Sequence, residues 1–177
     1  MIWPDTGRMK SPQDLRSART ELERVLEQRQ RELGPDDPAL ADDLRDLGRL
    51  AHDLGDLRDA TALLERARVL HAAGFGPEHP EVATDLNHLG LVLHDAGDYE
   101  VAEAVLERAL TLDEQALGTE HPHVARDANN LAGVLRDLGD GYGARMALEY
   151  ALSIYTRALG TDHPTTQAVA GNLSRLG

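Results

Sequence analysis

Gly34, Gly76, Gly118 and Gly160 stand 42 residues apart, and each opens a similar phrase: GPDDP, GPEHP, GTEHP and GTDHP. Setting residues 76–117 over 118–159 gives 21 identities in 42 positions. A period of this size marks a stacked array of one supersecondary unit, none of which buries its apolar face alone. The repeat therefore restricts the fold to a solenoid before any local motif is weighed.

Each unit reads as two helices. In the second, Val82, Leu86, Leu89 and Leu93 form one helical stripe. Gly97 stops that helix, Asp98 is placed to cap the next, and Ala102, Leu106, Ala109, Leu110 and Leu117 follow on one side. Gly55-Asp56 and Gly139-Asp140 repeat the turn. Small residues recur where the two helices must approach: Gly48, Gly90 and Ala132 on the first, Ala60, Ala102 and Ala144 on the second. Leu and Ala dominate, and only six residues are aromatic, so the expected core is aliphatic and helical.

The His-Pro phrase first suggests chemistry, with Glu78 beside His79. Its recurrence argues otherwise, because a catalytic residue is needed once and GPDDP carries Asp37 in place of histidine. Gly76 ends one helix and Pro80 suits the first turn of the next. His79, His121 and His163 are thus expected to bond or pack at the joints between units.

A net charge of −13 disfavours nucleic acid as a partner. No apolar run approaches the ~18 residues of a membrane span. The opening MIWPDTGRMK lacks the apolar segment of a secretory signal, and there is no cysteine to form disulfides or bind zinc. The expectation is a cytoplasmic protein. There is no HExxH, Gly-rich phosphate loop or strained Ser elbow. His52-Asp53 and His94-Asp95 are related by the repeat. Hence no enzyme activity, no cofactor and no metal are expected.

Leu89, Gly90, Ala102, Ala109 and the Gly97-Asp98-Tyr99 turn resemble the tetratricopeptide repeat. The 42-residue period, the LG-x-x-HP-x-VA phrase and ANNLA at 128–132 are similar to its kinesin light chain type. The resemblance covers about residues 17 to 177 and implies an all-α, right-handed superhelix of about eight antiparallel helices. The division would be a loose segment 1–11, then an array over 12–177. Within the array fall a half-unit 17–33, full units 34–75, 76–117 and 118–159, and a terminal helix in 160–177.

The resemblance also implies that first helices line an inner groove, through the second, fifth, ninth, twelfth and thirteenth positions of each repeat, counted with the small residue Gly48, Gly90 or Ala132 as the eighth. These are Asp42, Arg45, Arg49, His52 and Asp53 in the first unit. The second offers Thr84, Asn87, Leu91, His94 and Asp95, and the third Arg126, Asn129, Gly133, Arg136 and Asp137. Ala168, Gly171 and Arg175 complete the face. Five arginines against four aspartates make it far less acidic than the whole chain.

Arg45, Arg49, Arg126 and Arg136, with Asn87, Leu91 and Asn129, are the expected contacts for a peptide carrying acidic residues. The competing reading is that these arginines neutralise Asp42, Asp53 and Asp137. Asn130 and Asn172 are implied to bond backbone at the joints. Lys10 is the only lysine, which argues against the lysine-dependent groove that grips chaperone C-termini. The expected function is a noncatalytic, regulatory or scaffolding module that binds protein. The alternative is a structural solenoid that self-assembles through its end helices, using Val169, Leu173 and Leu176.

Overall fold

The apolar stripes and glycine stops fold as helical hairpins in the computed structural model, which describes residues 11–176. Among the described residues there are eight α-helices and no strand. They are α1 (Pro12–Leu33), α2 (Ala41–Asp53), α3 (Leu57–Phe75), α4 (Pro80–Ala96), α5 (Tyr99–Leu117), α6 (Pro122–Asp137), α7 (Gly141–Leu159) and α8 (Pro164–Ser174). Each packs against its neighbours in sequence; α2 also touches α4, and α4 touches α6, so first helices share one face of a solenoid.

Helix starts are specified locally. Residues 1–10 of the expected loose segment 1–11 lie outside the described residues, whereas Ser11 caps α1. The Asp14 amide donates to Ser11 Oγ at 3.2 Å, and the Ser11 amide donates to Asp14 Oδ2 at 3.0 Å. The later His-Pro phrases have the same purpose. Nδ1 of His79, His121 and His163 accepts the amide of Glu81, His123 and Thr165, each at 3.2 Å, with proline at the first helical position. Asp37 caps in their place, accepting the Ala39 amide at 2.8 Å; a 3₁₀ turn, Pro38–Leu40, then precedes α2. A histidine that caps answers why the phrase recurs.

The second-helix caps depart from expectation. Asp140 accepts the Gly143 amide at 2.9 Å, but Asp56 and Asp98 make no side-chain cap bond. Asp56 is engaged elsewhere, 2.5 Å from Arg19 on α1. The turn itself is held by Gly97, at φ 84°, a left-handed conformation that a β-carbon would strain.

The core lies between the two helices of each hairpin and between hairpins. Leu64, Leu106 and Leu148 of the second helices are buried, and the first two press on Gly48 and Gly90. A methyl at Gly90 would lie 2.5 Å from Leu106 Cγ, and one at Gly48 would lie 2.8 Å from Leu64 Cγ. In the third unit Ala132 takes this place and is itself buried. Val124, Ala125, Ala128, Ala151 and Ile154 extend the same cluster to Val169 of α8.

Candidate functional site

The face built from α2, α4, α6 and α8 carries the candidate contacts, and most of them already have partners within the chain. Arg45 pairs with Asp42 of its own helix and Glu81 of α4, and reaches buried Asp85 at 3.5 Å. Its side chain is only 15% exposed. Arg126 lies 2.8 Å from Asp127 and 3.3 Å from Asp113. Arg136 binds Asp137 at 2.8 Å. Arg49 differs: its side chain is 56% exposed, Asp46 stands 3.6 Å away, and no hydrogen bond is made to it among the described residues. At the same repeat position are half-buried Leu91 and Gly133, whose missing β-carbon would meet nothing within 4 Å.

The asparagines form a ladder between units. Asn130 Nδ2 donates to Asn87 Oδ1, and Asn172 Nδ2 donates to Asn129 Oδ1, both at 3.2 Å. Asn129 and Asn130 are joined in turn at 3.3 Å. Asn130 and Asn172 thus bond side chains, not the backbone that the resemblance implied, because the fifth position of one unit meets the sixth of the next. Asn87 is buried and also donates to Asp127 Oδ1 at 2.7 Å.

Charge on this face is neutralised pair by pair. Burial pushes His88 down to about 3, helped by the positive fields of Arg49, Arg126 and Arg45, so its ring is neutral at pH 7. Burial raises the Asp85 carboxyl; a bond from His71 Nδ1 at 2.6 Å and the charge of Arg45 oppose that rise. Arg136 first, then His94, hold Asp137 down at about 2.

One cluster has ligand chemistry for a metal. Atoms of Asp42, His71 and Glu81 lie within 4.8 Å of one another, and Asp85 orients the His71 ring from behind. The guanidinium of Arg45 sits on both Asp42 and Glu81, so the cluster has its cation from the protein and a divalent ion must displace it.

Sequence reasoning passed over Asp85, Asp113, Asp127 and His88. For the three aspartates the signal was present at the third and thirty-first repeat positions, where the last joint carries Val169 and Tyr155 while earlier joints carry Asp43 with Arg29, Asp85 with His71, and Asp127 with Asp113. A column that holds a charged residue in three units and Val169 in the last marks a position able to be buried, where each charge needs a partner.

Tetratricopeptide repeat sequence profiles match residues 13–70, 59–115 and 81–140, and a second such profile matches 127–165. A search of curated protein sequences finds no match. Among solved structures, BtubC (BKLC) from P. vanneervenii superposes with a TM-score of 0.80 at 27% identity, over 92% of this chain and 65% of that one. A kinesin light chain-type repeat protein of Podosopora anserina gives 0.76 at 24% identity, over 92% and 77%. The type III secretion translocator chaperone SycD of Yersinia enterocolitica gives 0.61 at 17% identity, over 78% and 83%. Profiles, hairpin stacking and these neighbours agree, and the chain belongs to the tetratricopeptide repeat family.

Proposed function

We propose that the first-helix face is a noncatalytic docking groove for an extended partner segment carrying acidic side chains. One observation carries the reading: a ninth-position row of Arg49, Leu91 and Gly133 stays open while the arginines beside it are consumed internally. Arg49 offers an exposed guanidinium, held among the described residues only by a loose 3.6 Å ion pair to Asp46, for a carboxylate, Leu91 an apolar contact, and Gly133 room for the partner's backbone. Arg45, Arg126, Asn87 and Asn129 set the shape and potential of the groove floor, and Arg136 stands at its rim. The ordered ladder beneath lowers the entropic cost of docking.

A protein that only binds, through a preformed surface, suits a regulatory or scaffolding role in the cytoplasm. No helix of the described residues is long and apolar enough to cross a membrane. The test is panning a random peptide library on the full chain, then measuring selected peptides by calorimetry. The expectation is enrichment of Asp and Glu, and loss of binding in Arg49→Glu/Leu91→Glu with helicity unchanged. Peptides that bind this variant as well as the parent overturn the groove.

A further inference from the structure

The third and thirty-first repeat positions meet at every joint, and the chain fills them differently each time. Between α3 and α4 they are His71 and Asp85, a donor and an acceptor at 2.6 Å. Between α7 and α8 they are Tyr155 and Val169, both buried and without a carboxyl group. Between α5 and α6 they are Asp113 and Asp127, both fully buried and drawn to the same guanidinium nitrogen of Arg126, at 3.3 and 2.8 Å. Two acceptors cannot bond without a hydrogen, and among the described residues Asp113 Oδ1 and Asp127 Oδ2 have no donor.

From this geometry we infer that Asp113 and Asp127 share one proton, which makes the joint between the second and third units sensitive to pH. The hydrogen is covalently held by one of the two unpartnered oxygens and donated to the other. The remaining single negative charge is matched by Arg126, 2.8 Å from Asp127 and 3.3 Å from Asp113. Asn87 of α4 supplies the second donor to Asp127. The other groups facing the pair do not replace the proton. His123 Nδ1 is 3.7 Å from Asp113 Oδ2, and burial and Arg126 hold that ring below its usual range. His121, at the head of α6, spends Nδ1 on a backbone amide, and Glu81 of α4 adds negative potential near His123. The Tyr155 phenol of α7 is raised by burial and stays neutral.

The direction of the effect follows. Burial lifts Asp127 to about 7 and raises Asp113 as well, whereas an unfolded chain loses both protons near pH 4. The folded joint therefore binds the proton more strongly than the unfolded chain does. That stability is complete below about pH 4 and is lost as pH rises through about 7, where two carboxylates face one guanidinium. Because Asp127 anchors Asn87, and Asn87 anchors Asn130, loss of the proton loosens the groove floor at this joint.

Carbon-detected NMR titration of the aspartate carboxyls in the full chain tests the inference. The expected result is a step near pH 7 felt by two carboxyl resonances and absent in Asp113→Asn. Completion of every carboxyl titration in the parent below about pH 5, or persistence of the step in Asp113→Asn, overturns it. Thermal unfolding adds a second readout. The parent's midpoint should fall between about pH 5 and about pH 8, and Asp127→Asn, which keeps a donor on that side chain, should flatten the fall. Parallel pH profiles count against the shared proton; if the amide variant does not fold, the parent's titration decides alone.

Discussion

His94 Nε2 sits 2.7 Å from Asp137 Oδ2 on the next unit, and His52 stands in the same relation to Asp95. The twelfth residue of one unit thus meets the thirteenth of the next, along the rim of the first-helix face. Asp137 is shared with Arg136, whose contact is the larger cause of its depressed pKa. A depressed carboxyl stabilises the fold above its unfolded value and loses that contribution as pH falls from about 4 towards about 2. Urea unfolding of the parent and Asp137→Asn should therefore converge as pH falls through this window. The pair is solvent-accessible, so the difference at neutral pH should be small, under about 1 kcal/mol, and should shrink in high salt.

The capping histidines predict a graded substitution series. His121 Nδ1 accepts the His123 amide at 3.2 Å, and Asp37 makes the equivalent bond in the first unit. His121→Ala should cost about 1 kcal/mol by urea denaturation, while His121→Asp should retain most of the parent stability. Equal losses in both variants would mean that the ring packs here and does not cap.

Helix count, unit length and the small-residue column were legible because each depends on a local rule repeated several times: Gly97 for a left-handed stop, Pro80 for a first turn, Gly90 for a close crossing. The cap was harder to see because histidine seldom fills that position; Asp37 was the clue. Partner choice among charged side chains was not legible. Arg45 and Arg49 are four residues apart on one helix with similar neighbours in sequence, yet only Arg45 reaches across to Glu81 and Asp85 on the next unit. That distinction exists only after the units stack.

Gly90 and Ala132 occupy the same repeat position, yet opposite substitutions at the two should both destabilise. A methyl at Gly90 would lie 2.5 Å from Leu106 Cγ and 2.6 Å from its Cδ2, so α4 and α5 must part or Leu106 must change rotamer. Gly90→Ala should destabilise by about 1–3 kcal/mol despite the better helix propensity of alanine. Ala132→Gly should also destabilise, by about 1 kcal/mol, through lost propensity and a small void. Thermal unfolding of the two single variants checks both; a stabilised Gly90→Ala would show that the hairpin can widen freely.

Arg126 and Arg49 separate a structural arginine from one available to a partner. Arg126 lies against two buried carboxyls, and removing it leaves their negative charge without a counter-ion. Breaking such a pair from one side costs about 3–5 kcal/mol, because the remaining charge is still desolvated. Arg126→Ala should therefore unfold at much lower urea concentration than the parent. Arg49→Ala removes a side chain more than half exposed, whose nearest carboxylate is 3.6 Å away, and should change stability by no more than about 0.5 kcal/mol. Binding loss in Arg126→Ala alone would not identify a ligand contact, since the groove floor itself would be disturbed. Binding loss in Arg49→Ala with an unchanged urea midpoint would, and comparison of the two midpoints with the two affinities decides which arginine meets the partner.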